Sequence, residues 1–139
     1  MLTVQDMMTT ELSTLPPDAP IQQAARVMRD EDIGDVIILD DSGSLMGMVT
    51  DRDITIRAIA DGLDPSDTRI ADICSSSLVT ARPDQDIEEI MMMMQERAVR
   101  RIPVMDGDTP VGVISLGDLA MELAPDSTLG GITGQMPNR

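Results

Sequence analysis

Apolar positions in this chain switch between a helical and a strand period, and the switch occurs twice. Ile21, Ala24, Ala25 and Met28 fall at i, i+3, i+4 and i+7, one face of a helix. Val36–Leu39 and Leu45–Val49 are short apolar runs around a polar turn, Asp40–Ser44, which contains Gly43; together they predict a hairpin. Around this centre, Thr3–Met8 reads as a helical turn and Ser13–Leu15 as a short strand. Asp18 lies ahead of a helix expected to run through Glu31, with Pro20 in its first turn, and another is expected from Thr50 to Ala60, closed by Asp61-Gly62. The second half follows the same plan: strand Leu78–Ala81, helix Asp86–Glu96, strands Ile102–Met105 and Val111–Ile114, and helix Leu116–Leu123.

The correspondence extends to individual residues. Val4–Thr9 returns as Ile70–Ser75, Pro17-Asp18 as Pro83-Asp84 and Ile21 as Ile87, all at an offset of 66. Gly47–Ile54 returns as Gly112–Leu119 at an offset of 65, because the second hairpin turn is one residue shorter. A repeat of this kind sets the architecture. We expect repeat 1 over residues 3–62, a linker over 63–68, repeat 2 over 69–124 and a flexible C-terminal tail over 125–139. Units of roughly 60 residues are marginal alone, so a single shared core is expected.

Composition narrows the function. Phe, Tyr and Trp are absent, so aliphatic residues and thirteen Met do the packing. The net charge is −15, from 25 acidic residues against ten basic ones, all Arg. That field repels nucleic acid and anionic membranes, and stacking platforms for single strands are missing. The single cysteine, Cys74, stands where repeat 1 has Met8, which suits a small apolar role. With no long apolar run and no signal segment, the chain reads as soluble and cytoplasmic.

Catalysis finds little support. Histidine is absent, which excludes Ser-His and Cys-His nucleophiles and His-based metal sites. No carboxylate sits in an isolated apolar context that would mark a general acid, so we expect neither an enzyme nor a required cofactor. The sharper signal is Thr50-x-x-Asp53 and Ser115-x-x-Asp118, each following an apolar strand. One reading is a capping box at a helix start. The other is an anion site, where a hydroxyl meets phosphate and a carboxylate one turn on accepts from a sugar diol. Arg100-Arg101, just before Ile102-Pro103-Val104, adds cations suited to phosphate. Pro103, without an N–H, is easily accommodated only at a sheet edge.

The segment Val99–Val104 followed by Gly112–Asp118 resembles the signature of CBS domains, and residues 3–124 resemble a tandem CBS pair, the Bateman module. Leu45–Asp53, Arg57 and Gly62–Pro65 are similar to stand-alone hypoxic-response-type CBS proteins. The resemblance implies an α/β (α+β) fold: two β-α-β-β-α repeats packed by pseudo-twofold symmetry into one regulatory module. It also implies an adenosine-containing ligand, such as AMP or ATP, bound in clefts between the repeats. Carried over residue by residue, Ile102, Pro103, Ser115 and Asp118, with Arg100 and Arg101 by the phosphates, form the better site. Val36, Ile37, Thr50 and Asp53, with Arg52 near phosphate, form a weaker one. There Asp35 replaces Arg101 and Ile37 replaces Pro103. The alternative is a ligand-free interaction module whose motifs are only caps. Four successive Met, Met91–Met94, sweep nearly a full helical turn. Two packing inside would leave two to spare; a second subunit covering them is implied by the resemblance, and with it a homodimer. No downstream protein partner is named by these residues.

Overall fold

The computed structural model describes residues 2–76 and 78–123; the tail expected over 125–139 lies outside them. The elements run α1 (Val4–Met7), β1 (Thr14–Leu15), α2 (Ile21–Glu31), β2 (Asp35–Leu39), β3 (Leu45–Thr50), α3 (Asp51–Asp53), α4 (Ile87–Arg97), β4 (Arg101–Asp106), β5 (Thr109–Ser115) and α5 (Leu116–Leu123). A π-turn at Ile54–Ile59 and a 3-10 turn at Ile70–Asp72 complete the order. The mixed α+β content of the two repeats is as expected.

Packing does not respect the repeat boundaries. Among the described residues, one compact unit is Ser13–Leu78; the other joins the chain up to Leu12 with Val79–Leu123. The repeats have therefore exchanged their opening segments. Ile70 and Ile73 are buried with Leu15, Ile21, Val36, Ile38 and Val49, whereas Val4 and Met7 are buried with Ile87, Ile90, Ile102 and Ile114. The backbone repeats the exchange bond for bond. The Ile70 N–H donates to the Ala19 carbonyl (2.8 Å), and the Val4 N–H to the Gln85 carbonyl (2.9 Å). The expected single core is thus two clusters, because each borrowed segment completes the apolar cover of the unit it joins.

Two glycines permit this close approach. A Cβ on Gly47 would lie 2.6 Å from the Ser75 carbonyl oxygen, and one on Gly112 2.8 Å from that of Thr9. Only a residue without a side chain lets the borrowed backbone bridge the hairpin at Met48–Ser75 and Val113–Thr9.

The first sheet has the order β1-β2-β3, with β1 parallel to β2 and β2 antiparallel to β3. In the second, β4 pairs antiparallel with β5. The strand expected at Leu78–Ala81 is reduced to one bridge, Ala81–Val104. The cause is Pro103. In repeat 1 the Ile37 N–H donates to the Ser13 carbonyl at 2.9 Å. Pro103 occupies the equivalent position and cannot donate to Val79. Pro103 is also fully buried, rather than at an open edge.

Two helices depart from expectation. Helix α2 opens at Ile21, with Pro20 outside as its N-cap, because the Ile21 and Gln22 amides bond to the Thr68 and Pro65 carbonyls. The helix expected over Thr50–Ala60 divides into α3 and the π-turn. There the Thr55 hydroxyl donates to the Asp51 carbonyl (3.1 Å), competing for a helical acceptor, and the Ala60 and Leu63 amides reach the Thr55 and Ala58 carbonyls. On α4, Met94 is buried and Met93 half-buried, while Met91 and Met92 remain 44% and 59% exposed. No helix among the described residues is long and apolar enough to cross a membrane.

Candidate ligand-binding site

Both strand-to-helix junctions are capping boxes. The Asp53 N–H donates to Thr50 Oγ1 (3.1 Å), and the Thr50 N–H to Asp53 Oδ2 (3.0 Å). The Asp118 N–H donates to Ser115 Oγ (3.0 Å), and the Ser115 N–H to Asp118 Oδ2 (3.1 Å). Each hydroxyl accepts in its cap and keeps its own O–H as a donor; each aspartate keeps Oδ1 outside the box. Capping and ligand binding are therefore compatible. Ser115 is almost fully buried.

The first helical amide is committed at both junctions, to the Gly34 carbonyl from Asp51 (3.0 Å) and to the Arg100 carbonyl from Leu116 (2.8 Å). The second amide separates the copies. In repeat 1 the Arg52 N–H donates to Asp51 Oδ1 at 2.8 Å, so the helix start is already served by the chain's own carboxylate. In repeat 2 the residue at that place is Leu116, which has no acceptor to offer the Gly117 N–H. An external anion suits the second junction, not the first.

The residues across the hairpin agree. Arg101 is the register partner of Ser115, and Asp35 that of Thr50. Repeat 2 thus sets an arginine across the hairpin from its hydroxyl residue, where repeat 1 sets an aspartate whose Oδ2 is buried. Asp53 is further engaged by Arg57, with Nε 3.7 Å from Oδ1, while Arg57 Nη1 donates to the Ile73 carbonyl (3.2 Å). The offset of 65 puts Glu122 where Arg57 stands, so repeat 2 has no matching cation.

Of the residues expected to form the better site, the structure places Arg101, Ser115 and Asp118 at one junction, while Pro103 pairs with Val113 two residues further along the hairpin and is fully buried. Ile102 turns its side chain into the core, and so does Val36 in repeat 1, leaving only their backbones to meet a ligand. Ile37 is buried but outside that cluster, as Met48, its register partner, is too. Arg52 is exposed. Arg100 is drawn away from Arg101 to a groove of about 850 Å³ between α4 and α5, lined by Met91, Met92, Leu116, Leu119 and Glu88. Asp51 and Arg57 were missed as determinants in the sequence, although comparison with Leu116 and Glu122 at the hairpin offset reveals both.

Cys74 is half-buried; burial and then the charge of Asp53 push its thiol pKa up, which keeps it a poor nucleophile. No group of three or more His, Cys, Asp or Glu able to hold a metal ion occurs among the described residues.

The family model for the CBS domain matches residues 4–58 and 70–125. The CBS domain-containing protein YhcV of Bacillus subtilis is 35% identical over 130 residues, spanning 94% of this chain and 91% of the relative. Hypoxic response protein 1 of Mycobacterium tuberculosis is 34% identical over 88% of this chain and 86% of its own length. A crystal structure of Hypoxic Response Protein I with two coordinated zinc ions superposes with a TM-score of 0.76, over 88% of this chain and 99% of that one. A hexameric CBS-CP12 protein from bloom-forming cyanobacteria gives a TM-score of 0.80 at 26% identity, over 91% of this chain and 72% of that one.

Proposed function

The chain belongs to the CBS-domain family as a tandem pair, and from that premise we propose that it is a non-catalytic sensor of an adenosine-containing ligand such as AMP or ATP. A regulatory module is what the CBS pair supports by itself; the ligand is our reading of the repeat 2 junction. The observation that carries it is the contrast at the second helical amide, taken by Asp51 in repeat 1 and left without a side-chain acceptor by Leu116 in repeat 2. In this reading phosphate lies against the Gly117 N–H, the Ser115 hydroxyl and the Arg101 guanidinium. Asp118 Oδ1 accepts from the ribose diol.

One structural neighbour, the CBS-CP12 protein, is a hexamer. We take the present protein to be a homodimer, its exposed Met91 and Met92 covered by a second copy. Its output is then a shift between states with unequal ligand affinity.

The two capping boxes favour one competing reading, a protein-interaction module whose motifs only start helices. Thermal shift with AMP, ADP, ATP, S-adenosylmethionine and NADH separates the two. A ligand at a hundred times its Kd adds about 2.7 kcal/mol of stability. We expect such a gain with an adenine nucleotide, lost in Ser115→Ala combined with Asp118→Ala. If no compound in the set raises the melting temperature, and Ser115→Ala costs only the ~1 kcal/mol of a plain cap, the interaction reading stands instead.

A further inference from the structure

The two junctions share a cap but differ in what surrounds it. In repeat 1 the Arg52 N–H, equivalent to the amide offered to phosphate in repeat 2, already donates to the Asp51 carboxylate at 2.8 Å. Asp53 Oδ1, the oxygen outside the capping box, stands 3.7 Å from Arg57 Nε. Asp35, an acid rather than an arginine, is the register partner of Thr50.

These contacts have the chemistry of a bound nucleotide. A carboxylate that accepts from a backbone N–H replaces a phosphate oxygen, and a guanidinium paired with a carboxylate replaces the sugar hydroxyls that would donate to it. Arg57 is held from two sides, because its Nη1 also donates to the carbonyl of Ile73, a buried residue of the borrowed segment (3.2 Å). The Asp53 side chain is only 15% exposed, so an incoming hydroxyl competes there with a poorly screened charge.

We infer that repeat 1 is liganded by its own side chains, Asp51 in the place of phosphate and Arg57 in the place of the sugar hydroxyls, with Asp35 repelling any added anion. This rests on the nucleotide reading of repeat 2 and adds the cause of its restriction to one copy. At the matching positions repeat 2 has Leu116, Glu122 and Arg101: no acceptor, no cation for the aspartate, and a cation for phosphate. Repeat 1 then keeps the form of a filled site at every ligand concentration, and repeat 2 alone switches.

AMP binding to a variant combining Asp35→Arg, Asp51→Leu and Arg57→Ala tests this, after circular dichroism confirms native folding. Calorimetry is expected to give two AMP per chain, against one for the wild type and for Asp35→Arg alone. In amide NMR spectra AMP should shift the Gly117 resonance of the wild type and leave that of Arg52 in place, whereas position 52 should also move in the triple variant. If the triple variant does not fold, Arg57→Ala alone serves: adenosine, which brings the diol without phosphate, should shift its Asp53 amide and leave that of the wild type unmoved. A folded triple variant that still binds one AMP, an Asp35→Arg protein that binds two, or an unmoved Asp53 amide in Arg57→Ala overturns the internal ligand and leaves the repeat 2 site standing. A wild-type protein that binds no AMP overturns both.

Discussion

Arg101→Asp is expected to weaken adenine-nucleotide binding by roughly 30- to 150-fold, the loss of about 2–3 kcal/mol from one charge-assisted phosphate contact. The substitution writes the repeat 1 residue, Asp35, into repeat 2. Position 101 pairs with Ser115 across the hairpin, so the new carboxylate would stand where phosphate is to lie. The capping bonds of Ser115 and Asp118 do not involve this side chain, so the helix start survives the change. Calorimetry on the variant reads the affinity, and far-UV circular dichroism checks the fold. An unchanged Kd would remove Arg101 from the site.

Ile70→Ala is expected to cost about 2–5 kcal/mol, as large-to-small changes at fully buried positions do. Where the damage appears matters more than its size. Ile70 opens repeat 2 in the sequence but is buried in the cluster around Ile21, Val36 and Val49. Hydrogen exchange should therefore accelerate first in residues 13–68. In Val4→Ala, whose side chain is buried with Ile87 and Ile114, it should accelerate first in the chain beyond Val79. If each substitution loosens its own sequence repeat instead, the segment exchange is wrong.

Much of this fold was legible because local signals were strong. The hairpins and the helices α2 and α4 follow from apolar periodicity and from turns at Gly43 and Gly107, both at positive φ. The exchange of opening segments was not legible. Val4 and Ile70 have nearly the same chemistry, so nothing in either residue says which of two similar cores it will join. The loss of a strand at Leu78–Ala81 could have been foreseen, since Pro103 removes the amide that Ile37 provides. The π-turn could not, because it depends on the Thr55 hydroxyl reaching the Asp51 carbonyl.

The site was partly legible in the same sense. Thr50, Asp53, Ser115 and Asp118 announced themselves by spacing, and the inequality of the copies by Asp35 and Ile37. Its deeper cause, Asp51 serving its own helix start, needed coordinates, because an exposed aspartate after a cap residue is unremarkable in sequence. Arg100 and Arg101 looked equivalent as neighbours. Arg101 opens β4 and pairs with Ser115, whereas Arg100 lies just ahead of the strand and lines the groove.

The central claim is that repeat 2 alone receives the nucleotide. Calorimetric titration of AMP into the wild-type protein, Asp53→Ala and Asp118→Ala tests it most directly. The expected result is one nucleotide per chain for the wild type and for Asp53→Ala, and none for a folded Asp118→Ala. No binding to the wild type, or binding that survives in Asp118→Ala and disappears in Asp53→Ala, would contradict it.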